Sequence, residues 1–320
     1  MQMMARIVAL LAMVGFAGAT ASTAAAQEKA EASLLVIRGQ GIVAGILPDA
    51  GGRLVVLRTD TGKNWIDSSP AEWLAAHPEP TRNAPYPDRL RGVVVWAGPQ
   101  SAFWADQELD AQRKAEKATW PPDPFGEWGH YKVQRQGDDV LVLDGPASPI
   151  TGLRMTKVYK VSGPGELTME VTATNMRDRE VNWDLWPNAR VDPAATAYVP
   201  LGPQDTMRVT FPNRLKREGT AVREASQVVS PGVIAGGNDW ESKLFIQTTQ
   251  QMIRLVRDGK QLVLRGSLSE TKALHPEHTA VEIYRSGGSQ PILEAEMHGA
   301  YRTLKPGESM SFTLTLQLRD

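Results

Sequence analysis

The sequence predicts an all-β protein, a large antiparallel β-sandwich with only a short helix or two in its loops. The main observation is a series of short runs rich in Val, Ile and Leu, each bounded by Gly, Pro, Asp or Ser turn signals. A second observation is that no helical pattern of the kind that joins parallel strands lies between these runs. Because a large sandwich can use a chain of 320 residues as one unit, we expect a single domain over residues 27–320.

The N-terminus has the pattern of a secretory signal peptide over residues 1–26. A positive start ending at Arg6 is followed by an apolar run from Ile7 to Ala19, and small residues end at Ala26, after which we expect cleavage. The run is too short to span a membrane, and no later run approaches about twenty apolar residues. We therefore expect a periplasmic or secreted protein with no membrane insertion after cleavage.

Composition excludes several classes of function. The absence of cysteine excludes a lipoprotein anchor, disulfides, thiol catalysis and cysteine metal sites. A formal net charge of −1 gives no electrostatic footprint for nucleic acid. The glycine pairs Gly236-Gly237 and Gly287-Gly288 do not lead into helices and are predicted to be turns, and no Gly-x-Ser-x-Gly elbow is present. We expect neither a cofactor nor a nucleic-acid partner.

The apolar runs predict the strands in chain order. The expected ranges are 34–38, 41–47, 53–58, 92–96, 130–134, 140–143, 153–161, 167–174, 181–186, 207–211, 243–248 and a hairpin over 252–264 that turns at Asp258-Gly259.

Residues 65–128 differ in composition from the rest of the chain, because six of the nine tryptophans lie there among many prolines. Ser69-Pro70 starts a brief predicted helix with a capping-box pattern. Residues 105–118 are polar and alanine-rich, which is typical of a solvated helix or a mobile excursion. Long irregular segments in compact domains are usually binding loops or disorder, and the tryptophans favour ordered loops.

The last forty residues predict three strands over 281–285, 291–298 and 311–318. A Pro306-Gly307 pair before the last strand predicts a type II turn with a positive φ at the glycine. On the middle strand, Glu294, Glu296 and His298 fall on one face, about 6 to 7 Å apart in succession. Three titratable groups in line make this strand a candidate site.

Three words in this C-terminal block resemble the end of the aldose 1-epimerases, the galactose mutarotase family: Leu293-Glu294-Ala295-Glu296, Leu304-Lys305-Pro306-Gly307-Glu308 and Thr313-Leu314-Thr315. A second resemblance is narrower. Trp96-Ala97-Gly98-Pro99-Gln100, followed by Trp120-Pro121-Pro122-Asp123, looks like an uncharacterised bacterial domain family that shares the mutarotase-like fold. Together they imply a β-supersandwich of the galactose mutarotase-like class.

The resemblance also implies site residues. Glu294 occupies the position of the family's catalytic base, which takes a proton from the anomeric hydroxyl. The family's acid is a histidine, and the matching strand over 182–188 puts Trp183 at that position. An indole cannot protonate a leaving oxygen usefully at neutral pH. His298, His130 and Glu296 stay open as replacements.

Tryptophans with interleaved polar groups suit sugars, whose C–H faces lie against an indole. The expected ligand-binding residues are Trp96, Gln100, Trp104, Trp183, Trp186 and Glu296. The segment His275-Pro276-Glu277-His278 lacks the helical spacing of zinc-binding histidines and is predicted to be a surface turn, so no metal site is expected.

Three functional hypotheses follow. The first is an exported carbohydrate-binding protein that has lost the family's chemistry, since Trp183 stands at the acid position. The second is an active aldose 1-epimerase or related carbohydrate enzyme with Glu294 as general base. The third is a non-catalytic structural envelope protein whose cleft is filled by its own side chains.

Overall fold

The computed structural model describes residues 34–69, 80–83, 86, 90–210, 222–230, 241–268 and 270–319. Its strands, in chain order, are β1 (Leu35–Gly39), β2 (Ile42–Leu47), β3 (Arg53–Arg58), β4 (Val93–Gly98), β5 (Lys132–Gln136), β6 (Val140–Ala147), β7 (Leu153–Gly163), β8 (Glu166–Asn175), β9 (Val181–Val191), β10 (Thr196–Pro200), β11 (Thr206–Thr210), β12 (Val222–Glu224), β13 (Gln227–Ser230), β14 (Glu241–Gln247), β15 (Met252–Arg257), β16 (Lys260–Gly266), β17 (Val281–Ser286), β18 (Ile292–Met297), β19 (Arg302–Leu304) and β20 (Ser309–Arg319).

These strands form two antiparallel sheets, which confirms the predicted fold class. Within the described ranges, the first sheet has the order β1-β2-β3-β4-β9-β18-β17-β14-β11, with β19 paired to β9. The second has the order β12-β13-β10-β15-β16-β20-β8-β7-β6-β5. The turn predictions are also confirmed, since Asp258 and Gly259 have φ values of 51° and 75° and Gly307 has a φ of 79°.

Helices are short and lie in loops. The two α-helices of the described part are α1 (Ala111–Glu116) and α2 (Pro124–Trp128), and single 3-10 turns occur at Gln100–Ala102 and Thr271–Ala273. Helix α1 has no buried residue and is capped by Asp110, so it is the solvated helix that the 105–118 segment allowed. The helix predicted to start at Ser69-Pro70 and the predicted signal peptide lie outside the described residues.

The core lies between the two sheets and follows the period-2 alternation of the strands. On β20 the buried side chains are those of Met310, Phe312, Leu314, Leu316 and Leu318. On β18, Leu293, Ala295 and Met297 face the same core. Each of the larger side chains, those of Leu, Phe and Met, contributes about 1.5 to 3 kcal/mol by burial. Together these residues fix which side chains of β18 face away from the core. We call the side of the first sheet that faces away from the core its outer face.

A layer of loops covers part of the outer face. Its apolar contacts form a second cluster made of Val94, Trp96, Phe103, Trp104, Ile150 and Trp186. Helix α2 is fastened to the sheet by a buried ion pair between Arg53 and Glu127, with Nη2 and Oε2 2.5 Å apart. The tryptophan-rich loops are therefore ordered where the structure describes them, as the sequence indicated. No helix in the described ranges is long and apolar enough to cross a membrane.

Candidate functional site

Nine polar side chains come together on the outer face, where β9, β18, β17 and β14 lie side by side. The antiparallel register pairs Glu296 with Asn188 on one side and with Glu282 on the other, and pairs Glu294 with Arg190. Because alternate residues share a face, these pairings fix the group. We call it the polar cluster; its members are Asp184, Asn188, Arg190, Lys243, His278, Glu282, Glu294, Glu296 and His298.

Glu294 is held by two neighbours on β9. Arg190 Nε donates to its Oε1 at 2.6 Å, and Asn188 Nδ2 donates to its Oε2 at 3.1 Å. Burial acts to raise the pKa of Glu294, but the positive charge of Arg190 outweighs it and holds the pKa below its usual range. Arg190 also donates to the Tyr86 hydroxyl at 3.0 Å. Glu294 is thus an oriented, ionised carboxylate.

Glu296 and Glu282 share one lysine. The ammonium of Lys243 lies 2.8 Å from Glu282 Oε2 and 3.0 Å from Glu296 Oε2. The indole Nε1 of Trp186 donates to the same Glu296 oxygen at 2.8 Å. Burial raises the pKa of Glu296 to about 7 against the attraction of Lys243, whereas for Glu282 the charges of His298 and Lys243 outweigh burial and lower the pKa.

The two histidines of the cluster lie at its other end, beside Asp184. Asp184 Oδ2 is 2.7 Å from His278 Nδ1 and 3.7 Å from His298 Nδ1, and the two rings lie 3.8 Å apart. Burial acts to lower the pKa of His298, but Glu282 and Asp184 outweigh it and raise the pKa to about 9. Burial would raise the pKa of Asp184, yet its histidine partners hold it below the usual range.

The residues of the cluster do not satisfy all of one another's hydrogen-bonding atoms. Among the described residues, no hydrogen-bond partner is present for Asp184 Oδ1, Asn188 Oδ1, Glu296 Oε1 or either ring nitrogen of His298, all of which are buried. Buried polar atoms without partners are rare in folded proteins and call for an explanation. The cluster holds four carboxyl groups beside the two permanent cations Arg190 and Lys243 and the two imidazoles of His278 and His298.

Aromatic side chains border the cluster on the side of Arg190 and Glu294. Trp120 is 45% exposed, and its ring contacts those of Tyr86 and Trp96 at centroid distances of 4.7 and 6.3 Å. The side chain of Lys243 is 22% exposed and that of Glu294 is 11% exposed. An exposed indole is therefore connected through Tyr86 and Arg190 to a nearly buried carboxylate.

The structure places four of the residues singled out from the sequence in or against this cluster. Glu294, Glu296 and His298 are members, and Trp186 packs on it through Glu296 and the ring of His298, 4.8 Å away. Trp96 lies beside Trp186 and donates its indole hydrogen to Glu127. The C-terminal alternation thus identified one strand of the site.

The other predicted ligand-binding residues lie elsewhere. Gln100 donates to the Thr119 carbonyl at 3.1 Å, outside the cluster. Trp104 is fully buried and donates to the Pro121 carbonyl at 2.6 Å. His130, considered as a replacement acid, has a side chain that is 47% exposed and contacts Asp49.

Trp183 faces the sandwich core, on the opposite side of β9 from the cluster. Its indole donates to the Thr151 carbonyl at 3.0 Å. The residues of β9 that face the cluster are the even-numbered ones, Asp184, Trp186, Asn188 and Arg190. The identity of residue 183 therefore does not decide whether the cluster contains an acid.

Sequence reasoning missed most members of the cluster that lie off β18. Asp184, Asn188 and Arg190 alternate along β9, and Glu282 alternates with Val281 and Ile283 along β17. The alternation within each strand is visible in the sequence. Only the pairing of β9, β18 and β17 shows that these polar residues lie on the same face of one sheet. His278, predicted to lie in a surface turn, has a side chain only 5% exposed, because the turn folds it against Asp184.

The structure also has a cavity of about 530 Å³ at one edge of the sandwich. Trp65, Arg257, Gln261 and Arg319 are among its lining residues, and none of the residues that line it belongs to the polar cluster. Its cations are engaged by the chain itself, since Arg257 bonds Asp192 at 2.6 Å and Lys63 bonds Asp258 at 3.2 Å. The chemistry of the polar cluster makes it the stronger candidate site.

Comparison with solved structures identifies the fold. A galactose mutarotase-like protein from Clostridium acetobutylicum superposes with a TM-score of 0.56 at 13% identity, covering 90% of this chain and 95% of that one. A putative aldose 1-epimerase from Escherichia coli K12 gives a TM-score of 0.53 at 13% identity, covering 89% and 98%. An aldose epimerase homologue from C. elegans gives a TM-score of 0.53 at 12% identity, covering 89% and 98%. The chain has the galactose mutarotase-like fold.

Sequence comparison gives a family but no activity. A family model described as "Domain of unknown function (DUF4380)" matches residues 35–318, almost the whole described chain. A search of curated protein sequences finds no significant match.

Proposed function

We propose that this chain, which belongs to the DUF4380 family of domains of unknown function, is an exported protein that binds a carbohydrate at the polar cluster. The observation that carries the proposal is the continuous row from exposed Trp120 through Tyr86 and Arg190 to Glu294 and Asn188. Such a row offers a flat apolar surface followed by fixed polar groups, which is what a sugar ring requires.

The polar end of the row suits neighbouring hydroxyl groups. Glu294 accepts hydrogen bonds, Arg190 donates them, and Asn188 can do both. Their mutual bonds hold the three side chains in place, so little conformational entropy is lost when a ligand binds. Asn188 Oδ1 and Glu296 Oε1, which lack partners among the described residues, would accept hydrogen bonds from ligand hydroxyls.

The aromatic end suits the C–H face of a sugar. Trp120 keeps 45% of its surface exposed although its ring contacts Tyr86. A large exposed indole next to hydrogen-bonding groups is typical of a binding surface with one apolar and one wet end.

Two further points favour binding over a purely structural role. A cluster that only filled its own cleft would be expected to pair its buried polar atoms, and this one leaves several without partners. The fold is also that of a putative aldose 1-epimerase and of an aldose epimerase homologue, at 13% and 12% identity.

Ligand-detected NMR against reducing hexoses, pentoses and uronic acids tests the proposal. Glu294→Gln removes a charge-assisted hydrogen bond worth about 1.5 to 3 kcal/mol, so affinity should fall about 10- to 100-fold. Trp120→Ala, which leaves the cluster intact, should also weaken binding. Glu166→Gln on β8 and Met176→Ala, an exposed apolar side chain outside the row, should not. Equal affinity in all four variants would refute the assignment.

A second candidate function is mutarotation, and the placement of two carboxyl groups on one face of β18 favours it. Arg190 and Asn188 orient the carboxylate of Glu294, which could take the proton of an anomeric hydroxyl. Glu296, on the same face two residues away, is a carboxyl group whose pKa burial raises to about 7, and it could protonate the ring oxygen. Accelerated anomer exchange that Glu294→Gln abolishes and Glu166→Gln retains would support this function. Binding without any acceleration would leave the protein a carbohydrate binder only.

Export is the remaining part of the proposal, and the pattern over residues 1–26 supports it. Expression of the full chain followed by N-terminal sequencing of the extracytoplasmic fraction should give a protein that begins at Gln27. Retention in the cytoplasm with residues 1–26 attached would contradict it.

A further inference from the structure

We propose that Asp184, His278 and His298 bind a divalent transition-metal ion of the zinc type at the end of the polar cluster. The three side chains each offer one ligand atom, and these atoms lie within 4.8 Å of one another. Two imidazoles and one carboxylate are a donor set typical of zinc and related ions and not of calcium or magnesium, which prefer all-oxygen sites. Three protein ligands would leave a further position open.

The present distances are close to those of a bound site. Metal bonds of about 2.1 Å place neighbouring ligand atoms about 3.0 to 3.4 Å apart. Asp184 Oδ2 lies 2.7 Å from His278 Nδ1 and 3.7 Å from His298 Nδ1. Both distances from the Asp184 oxygen are thus within about 0.3 Å of that range, and the two histidine nitrogens lie within 4.8 Å of each other.

The second argument for an ion is that buried polar atoms of His298 and Asp184 lack hydrogen-bond partners within the described residues. His298 is fully buried, and neither of its ring nitrogens makes a hydrogen bond within the described part of the chain, where Nδ1 lies 3.7 Å from Asp184 Oδ2 and Nε2 lies 3.4 Å from Glu282 Oε1. The same holds for Asp184 Oδ1. A metal ion would use one nitrogen of His298 and satisfy the carboxylate of Asp184 at the same time.

The backbone at Gly98 packs closely against two of these side chains. A Cβ added to Gly98 would lie 2.3 Å from Asp184 Oδ1 and 2.7 Å from His278 Cε1. Real Cβ atoms do not approach other atoms so closely, so any side chain here would displace the aspartate or the histidine. Glycine at residue 98 therefore lets Asp184 and His278 pack directly against the backbone of β4, which helps to hold the two ligands in place.

A second group in the cluster could hold an ion by its donors, namely Glu282, Glu296 and His298. There, however, the Lys243 ammonium already lies 2.8 and 3.0 Å from the two carboxylates. A lysine in that position supplies the positive charge itself. The geometry thus assigns the ion to the side of His298 that faces Asp184.

Metal retention tests the proposal without reference to any activity. The mature protein would be stripped with chelator, incubated with Zn²⁺ or Co²⁺, desalted and analysed by elemental mass spectrometry. We expect about one ion per chain, and Co²⁺ should give the visible absorption of a site with nitrogen and oxygen ligands.

Matched variants locate the ion. His278→Gln and Asp184→Asn should each lower metal affinity at least 10-fold, and Gly98→Ala should lower it without removing a ligand. His275→Gln, the same change three residues away in the same turn, should retain the ion. Circular dichroism and the unfolding midpoint show which variants fold, and at least one of His278→Gln and Gly98→Ala must fold for the comparison.

Three results would overturn the proposal. The first is a wild-type protein that retains no ion. The second is retention by folded His278→Gln and Asp184→Asn at the wild-type level, because the ion would then lie elsewhere. The third is loss of the ion in Glu282→Gln and Glu296→Gln together with retention in His278→Gln, which would assign it to the other group.

Discussion

Replacing Arg190 by methionine should destabilise the protein by about 3 to 5 kcal/mol at pH 7. Arg190 is 5% exposed and Glu294 is 8% exposed, and their atoms are 2.6 Å apart. Methionine fills much of the arginine's volume but leaves a buried carboxylate without its cation. We expect a loss near the lower end of this range. Lys243 also lowers the pKa of Glu294, so its positive charge would compensate in part for the missing arginine.

The loss should depend on pH with a definite sign. In the wild type the pKa of Glu294 is depressed, so its stabilising contribution is present above the unfolded value of about 4.5 and disappears below it. Without Arg190 the same carboxyl is buried and its pKa rises, so its cost is present at pH 7 and is relieved as the group takes up a proton. The difference in unfolding free energy between the two proteins should therefore shrink between pH 7 and pH 4.

Urea denaturation followed by tryptophan fluorescence measures these free energies. The control is Arg179→Met, because Arg179 pairs with Asp106 at 2.9 Å with side chains 51% and 47% exposed. Breaking this surface pair should cost about 1 kcal/mol or less. A loss in Arg190→Met as small as in the control, or a loss independent of pH, would refute the reasoning.

Two further predictions concern Lys157 and Gly51, whose side chain and carbonyl oxygen are joined by a buried hydrogen bond of 2.6 Å. Burial lowers the pKa of Lys157 to about 7 from 10.5; the unfolded chain therefore binds more protons above pH 7, and unfolding free energy should rise by about 1 kcal/mol per pH unit from pH 7 to 9 relative to Lys157→Met. Parallel pH profiles of the two proteins would contradict this. Gly51→Ala should lower the thermal midpoint far more than Gly259→Ala: both glycines have positive φ, at 72° and 75°, but only the Cβ at residue 51 would meet a backbone oxygen, that of Glu127, at 2.3 Å. Similar thermal midpoints for the two variants, measured by calorimetry, would contradict this, because the clash with Glu127 would then add nothing to the strain of a positive φ.

Most of the fold was predictable because the longer strands carry strong local signals. The alternation from 311 to 318 and the Asp258-Gly259 and Pro306-Gly307 turns each correspond to an observed strand or turn. The strands not predicted include β12 and β19, with three residues each, and β13, with four. Segments this short hold too few residues to show a period, and their pairing partners create them.

The site was predictable only where its residues share one strand. Glu294 and Glu296 on β18 and His298 directly after it are each two residues apart, so the sequence alone places them together. Arg190, Asp184 and Glu282 reach the same face through the pairing of β18 with β9 and β17, which depends on register between distant segments. Trp183 was predicted to bind the ligand but faces the core, one residue away from Asp184 in the cluster. A shift of one residue along a strand moves a side chain to the other face, so a small error in aligning the strand places the wrong residue in the site.

The measurement that tests the central claim most directly is a sugar titration of protein labelled with ¹⁵N at its tryptophan indoles. Carbohydrate binding at the polar cluster predicts shifts of the indole signals of Trp120 and Trp186, assigned by substitution, and no shift for Trp183 in the core. Trp65, which lines the separate cavity, should also stay unchanged. Shifts confined to Trp65, or no shift with any sugar of the panel, would contradict the account.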